Sequence, residues 1–201
     1  MKFAELRSRW APERAADAFA RLTTGRDLAP VAFGEVDGRL DLRGLPGDLD
    51  AFRSGRSDAY PPLDYVDVRD TTWEHLDLTA AALPALWLSR CTIVGSIFAR
   101  ADLTSWTTAG CTVRSCSFEH AVLYACSLGA ETRSLLRRKR RPGLFEDCDF
   151  TGADVRRGYP GTTTTYCRCT FERFRSTDSW WLDAAPDVAE RRDWQAWTAQ
   201  R

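Results

Sequence analysis

From His75 to Gly129 the chain reads HLDLT AAALP ALWLS RCTIV GSIFA RADLT SWTTA GCTVR SCSFE HAVLY ACSLG when cut into fives. The fourth column runs Leu78, Leu83, Leu88, Ile93, Phe98, Leu103, Thr108, Val113, Phe118, Leu123, Leu128, and only Thr108 breaks the apolar run. The second column runs Leu76, Ala81, Leu86, Cys91, Ser96, Ala101, Trp106, Cys111, Cys116, Ala121, Cys126 and is mostly small. The remaining columns are mixed and largely polar. A period of five fits neither the 3.6 of an amphipathic helix nor the 2 of an ordinary strand. It suits a coil with one short side per five residues. On each side a large apolar residue, and the small residue two before it, point inward. Four sides make a coil of about twenty residues, and coils stack at roughly 4.8 Å, the spacing of paired strands.

The cysteines test this reading. Cys91, Cys111, Cys116 and Cys126 all fall in the small column. Cys148 and Cys169 stand two places before Phe150 and Phe171, and only Cys167 is out of phase. Free cysteine behaves as a small buried hydrophobe, which is what such a column needs. Seven cysteines with no secretory leader read as reduced thiols in a cytoplasmic protein.

Working outward, Leu40-Asp41-Leu42 has the form of an earlier coil. The phase resumes near Phe145, Phe150 and Val155, slips one place in the turn Gly158-Tyr159-Pro160-Gly161, and recovers at Tyr166 and Phe171. Between the two phased blocks lies ETRSLLRRKRRPG, residues 131–143, which carries Arg133, Arg137, Arg138, Lys139, Arg140 and Arg141 against Glu131. It reads either as a solvated excursion or as a finger for a phosphate backbone or acidic surface. Trp106 is large for its column and Thr108 small for its own. They read as one compensating swap, with an outward-turned Trp106 as the alternative.

A stack of coils leaves unpaired edges and an open core at each end, and these need covers. Pro12-Glu13-Arg14 opens a helix to about Leu22, with Ala15, Phe19 and Leu22 on one face and Gly25 as a stop. Pro186-Asp187 opens a second to about Ala199, with Val188, Trp194 and Trp197 as contact residues, preceded by Trp180 and Trp181. The expected organisation is a helical cap over 1–30, a repeat region over 31–176 with a linker near 46–62, and a helical cap over 177–201. Trp194 and Trp197 also suit a self-association surface.

The repeat resembles that of the pentapeptide-repeat proteins, whose unit is A-(D/N)-L-x-x. Ala101-Asp102-Leu103, Cys148-Asp149-Phe150, Ala153-Asp154-Val155 and Val66-Asp67-Val68 carry the resemblance. It implies an all-β fold, a right-handed quadrilateral β-helix, here with N-terminal and C-terminal capping helices. It also implies a protein-binding role. Some members bind DNA gyrase or topoisomerase IV by imitating duplex DNA and protect those enzymes from poisons, and some dimerise through C-terminal helices. On that basis Asp67, Asp77, Asp102 and Glu119 are candidate partner contacts.

Composition limits the alternatives. The 201 residues carry 28 basic and 28 acidic side chains, so the chain as a whole is built neither to coat nucleic acid nor to imitate it. Residues 61–130 hold seven acidic against four basic residues, a weak negative trend. Nucleic acid or an anionic partner would have to use Arg137, Arg138, Lys139, Arg140 and Arg141. Arginine nearly replaces lysine, which hints at a high-GC bacterial genome. No run of about 18 apolar residues spans a membrane. No catalytic residue, cofactor or metal site is expected. His75 and His120 face outward on adjacent sides, and Cys167-Arg168-Cys169 lacks the second ligand pair of a zinc site. There is no phosphate-binding glycine motif, and residues 162–165 read as threonines on a flat β-side. Asp67, Asp77, Asp102, Asp149 and Asp154 read as partners in local turn hydrogen bonds rather than paired carboxylates.

Overall fold

The computed structural model describes residues 3–47, 65–129, 142–161 and 164–176. Its register is that of a four-sided parallel β-helix. Val66 pairs with Leu86, Trp87 with Thr107 and Thr107 with Ser127. These form side 1. Thr72, Thr92 and Thr112 pair in turn on side 2. Side 3 is a row of single bridges, Asp77 to Ile97 to Ser117 to Asp149 to Thr170. Side 4 is another, Ala82 to Asp102 to Val122 to Asp154 to Arg175. Within the unbroken block every partner lies twenty residues on, which is four sides of five.

The inward columns form the core. Leu78, Phe98 and Phe150 are fully buried on side 3, as are Leu83, Leu103 and Leu123 on side 4. Phe98, Phe118, Phe150 and Phe171 stack face to face at 5.0, 4.8 and 5.0 Å. One phenylalanine per coil thus tiles the inside of side 3 at the coil spacing. The small column on side 4 is Ala81, Ala101, Ala121 and Ala153, all buried. Six of the seven cysteines are buried in the small columns of the other sides, and Cys167 is partly exposed. Burial pushes the Cys126 thiol up to about 12, so it stays protonated and apolar.

Trp106 turns inward, as the swap requires, and its indole N–H donates to the carbonyl of Leu83. Thr108 is buried too. The exchange of volume is incomplete: a narrow apolar gap, too small for water, remains beside Thr108, between Ile93, Trp106 and Phe118.

The register also locates the departures. Leu144 pairs with Thr112 rather than with a residue twenty places back, so about twelve extra residues enter between Gly129 and Pro142. Gly143 already belongs to the strand Gly143–Glu146. Tyr159 still bridges Ser127 in phase, whereas Thr164 pairs with Gly143, twenty-one places earlier. The one-residue slip therefore falls between Tyr159 and Thr164. Pro46 bridges Ala82, so the early coil extends to Pro46, and the rest of the linker expected near 46–62, from residue 48 on, lies outside the described residues.

The first coil is covered. Helix α1 spans Phe3–Ser8 and α2 spans Pro12–Thr24, ending at Gly25 in the left-handed conformation. Ala15, Ala18, Phe19 and Leu22 are buried on α2, and the Trp73 indole N–H donates to the Leu22 carbonyl at 2.9 Å. Strand β1 (Glu35–Val36) turns at Asp37-Gly38 into β2 (Arg39–Asp41) and pairs with it antiparallel. β2 in turn pairs parallel with Leu76–Asp77, so β1 covers the leading edge of side 3. The C-terminal helix expected near 186–199 lies outside the described residues.

Candidate functional site

Outward positions repeat three per side: the residue between the two inward ones, the residue after them, and a corner. Corners recur every fifth residue in the left-handed conformation, from Asp70 (φ 52°) through His75, Ala80, Ala85 and Arg90 to Ala125. Nothing on these sides converges on one point as catalytic side chains do. Function, if it lies on this part of the molecule, lies in how charge and apolar area are distributed over four sides.

The aspartates that stand before inward residues on sides 3 and 4 are used locally. A carboxylate oxygen accepts the backbone N–H two residues on at Asp41, Asp77, Asp102, Asp149 and Asp154. These side chains close the turns that follow single bridges. Asp67 lies on side 1, within a continuous strand, and its carboxylate pairs with Arg69 instead.

Of the proposed contacts, Asp67 is therefore exposed on side 1, Asp77 is buried on side 3, Asp102 is half-buried on side 4 and Glu119 is exposed on side 3. The four are not brought together. Arg137, Arg138, Lys139, Arg140, Arg141, Trp194 and Trp197 lie outside the described residues. His75 and His120 occupy corners on adjacent edges. Among the described residues no group of three or more His, Cys, Asp or Glu side chains is placed to hold a metal. No described helix is long and apolar enough to cross a membrane.

A different grouping emerges from the coil. From Tyr65 to Ser176, sides 2 and 3 with the corner between them carry Glu74, Asp77, Glu119, Glu146, Asp147, Asp149 and Glu172 against Arg114 and Arg168. Side 4 with its two corners carries Asp102 and Asp154 against Arg100, Arg156, Arg157, Arg173 and Arg175. Side 1 with the corner leading to side 2 is balanced, with Asp67, Asp70, Arg69 and Arg90. The near-neutral chain is thus charged oppositely on its two flanks. Period-five columns alone do not reveal this, because neighbouring fives belong to different sides. Sorting the outward residues by twenty does.

Part of the acidic flank is internally compensated. Arg168 reaches Asp147 at 2.6 Å and Glu146 at 2.9 Å, and Arg114 reaches Glu146 at 2.8 Å. The Arg168 guanidinium holds the Asp147 carboxyl below its usual range. Glu74, Glu119 and Glu172 remain exposed along this flank, with His120 at 3.6 Å from Glu119. On side 4 Arg156 pairs with Asp154 at 2.6 Å, and Arg157 lies over the Tyr124 ring at 5.7 Å.

No protein-family sequence model matches the chain, and no curated protein matches it. Solved structures similar to it include a pentapeptide repeat protein, Rfr23, from the cyanobacterium Cyanothece 51142. That likeness has 16% identity over 62% of this chain and 69% of the other, with a TM-score of 0.25. Another is trypsin-treated QnrB1, a plasmid-mediated fluoroquinolone resistance protein, at 11% identity over 61% of this chain and 81% of the other, with a TM-score of 0.23. These likenesses concern the fold. The twenty-residue parallel register, with two inward residues on every side of which the first is mostly small and the second mostly large, is itself the pentapeptide-repeat β-helix.

Proposed function

We propose that this pentapeptide-repeat β-helix is a non-enzymatic binding rod whose acidic flank, sides 2 and 3, docks onto a basic surface of a partner protein. The observation that carries the reading is the sorting of charge: seven carboxylates against two arginines on that flank, in a chain with no net charge. A basic surface attracts such a flank over the range of a Debye length and is steered to it.

The partner we propose is a type II topoisomerase, DNA gyrase or topoisomerase IV, with the rod standing in for a DNA segment. The repeat unit at Ala101-Asp102-Leu103 and Cys148-Asp149-Phe150 supports it by resemblance. Charge density sets how such binding would work. Four coil steps separate Glu74 from the coil of Glu172, about 19 Å. Five net negative charges over that length fall well short of duplex DNA, which carries one per about 1.7 Å of axis. Shape would therefore contribute more than charge, and salt would weaken the complex less than it weakens DNA binding.

The test is gyrase supercoiling with increasing amounts of the purified protein, with and without a gyrase poison. Inhibition or protection at micromolar concentration, reduced by replacing Glu74, Glu119 and Glu172 with lysine, is the expected result. No effect at large excess removes the topoisomerase as partner.

A further inference from the structure

Side 4 differs from the other three. Its outward line begins with Ala82 and Pro84, passes Thr104 and reaches Val122, which at 38% is the most exposed large hydrophobic side chain among the described residues. Tyr124 is half-buried beside it, and Ala125 is exposed at the next corner. Arginines then take over: Arg156 and Arg157 one coil further, Arg173 and Arg175 in the last described coil. A strip whose charges are Arg100 at the corner and Asp102 on the central line thus leads into a cationic end, and the Arg157 guanidinium over the Tyr124 ring joins the two.

We infer that side 4 is a second docking surface, for an acidic segment of a partner protein that sets an apolar side chain on Val122 and Tyr124 and its carboxylates against the arginine end. Charge complementarity selects the partner. Arginine is suited to paired hydrogen bonding with carboxylates, and five arginines face two aspartates here. The layout favours an acidic protein over a nucleic acid. A phosphate backbone is tracked by cations along its whole length, whereas the first three coils of side 4 offer one arginine, Arg100, among alanine, proline, valine and tyrosine, with Asp102 on the central line. The inference extends the binding-rod reading and shares its premise that the protein acts through its sides. It makes the rod a bridge, with acids on sides 2 and 3 and arginines on side 4, which lies across the coil from side 2 and meets side 3 at a corner.

The experiment uses the full chain and a fluorescein-labelled peptide of glutamates with one central leucine, followed by fluorescence anisotropy. The Lys-Leu counterpart and a short DNA duplex serve as competing probes. The glutamate peptide is expected to bind and to shift the backbone amides of Val122 and Tyr124. The double variant Arg173→Glu/Arg175→Glu, and separately Val122→Glu, should each weaken it about tenfold, the scale of one lost charge-assisted or buried apolar contact. Glu74→Gln, on side 2 across the coil from side 4, should leave it unchanged. Circular dichroism of each variant reports that the coil is intact. Peptide affinity unaffected by the side 4 variants, or no binding at all, overturns the inference, as does tighter binding of the DNA duplex to the same amides. Topoisomerase inhibition that survives the side 4 variants separates this surface from the acidic flank, and failure of the topoisomerase assay leaves the peptide result standing.

Discussion

At the residue scale the corners set the rules. Fifteen described residues other than glycine have positive φ, between 49° and 60°, and none is β-branched. A left-handed backbone places Cβ against the following carbonyl at a cost of roughly 1–2 kcal/mol, and a branched Cβ adds to it. The inward columns were legible in the sequence because apolar residues at period five have no other explanation. The corner column was equally present, running Asp70, His75, Ala80, Ala85, Arg90 without a valine, isoleucine or threonine, but it excludes residue types rather than requiring one. Two corners carry histidine, and each lies over a glycine corner of the next coil. A Cβ on Gly95 would sit 2.8 Å from Nδ1 of His75, and one on Gly152 would sit 2.3 Å from Nδ1 of His120. Gly152→Ala should therefore cost more than the left-handed backbone alone, about 2–3 kcal/mol. In a His120→Ala background the cost should fall to about 1 kcal/mol. Thermal melts of the two single variants and the double variant measure the coupling. An equal cost in both backgrounds would show that the ring moves aside freely.

At the scale of elements the N-terminal cover is fastened by one carboxylate. Asp41, at the end of β2, is 3% exposed and receives Arg9 Nη1 at 2.8 Å and Arg43 Nη2 at 2.8 Å. Arg9 follows α1 and also donates to the Arg43 carbonyl, and with Arg14 it encloses the Phe33 ring at 4.1 and 3.8 Å. Burial alone raises the Asp41 pKa, but the hydrogen bonds from Arg9 and Arg43 outweigh it and hold the carboxyl well below its usual range. A folded pKa below the unfolded one stabilises the fold above the unfolded value of about 3.9. That contribution is lost as pH falls further. The urea midpoint should thus drop below about pH 4 more steeply in the native chain than in Asp41→Asn. At neutral pH Asp41→Ala leaves two arginines without their shared partner and should cost about 3–5 kcal/mol. A midpoint that falls equally in both chains would mean that other carboxylates govern acid unfolding. The sequence pointed to α2 through Pro12, Phe19, Leu22 and Gly25, but not to this fastening. Asp41 looks like every other aspartate in the repeat unit, and only folding brings Arg9, thirty-two residues away, against it.

At the scale of the whole molecule the working unit is the coil of twenty residues, although the sequence repeats in fives. The inside of each side is specialised: stacked phenylalanines on side 3, alanines on side 4, cysteines in the small columns of sides 1 to 3. The outside is specialised too, with acids on sides 2 and 3 and arginines on side 4. In a stacked repeat each unit touches only its neighbours, so removing one whole unit leaves the remaining contacts in kind. Deleting residues 90–109 joins Ser89 to Gly110, which already has the positive φ of a corner at 62°. Every later residue then stays on its own side: Phe118 stacks beneath Leu78 and Val113 beneath Trp73. Deleting residues 90–104 removes only three sides. Each later residue then moves round by one side, so Phe118 no longer continues the inner face of side 3, and the twelve extra residues after Gly129 emerge from a different corner. The twenty-residue deletion should give a shortened protein that melts cooperatively at a lower temperature. The fifteen-residue deletion should fail to melt cooperatively, although it removes fewer contacts. Circular dichroism melts of both chains decide the matter. Equal cooperativity would mean that the four sides are interchangeable, and the flanks of opposite charge would then be an outcome of where the residues fell rather than a constraint that the coil maintains.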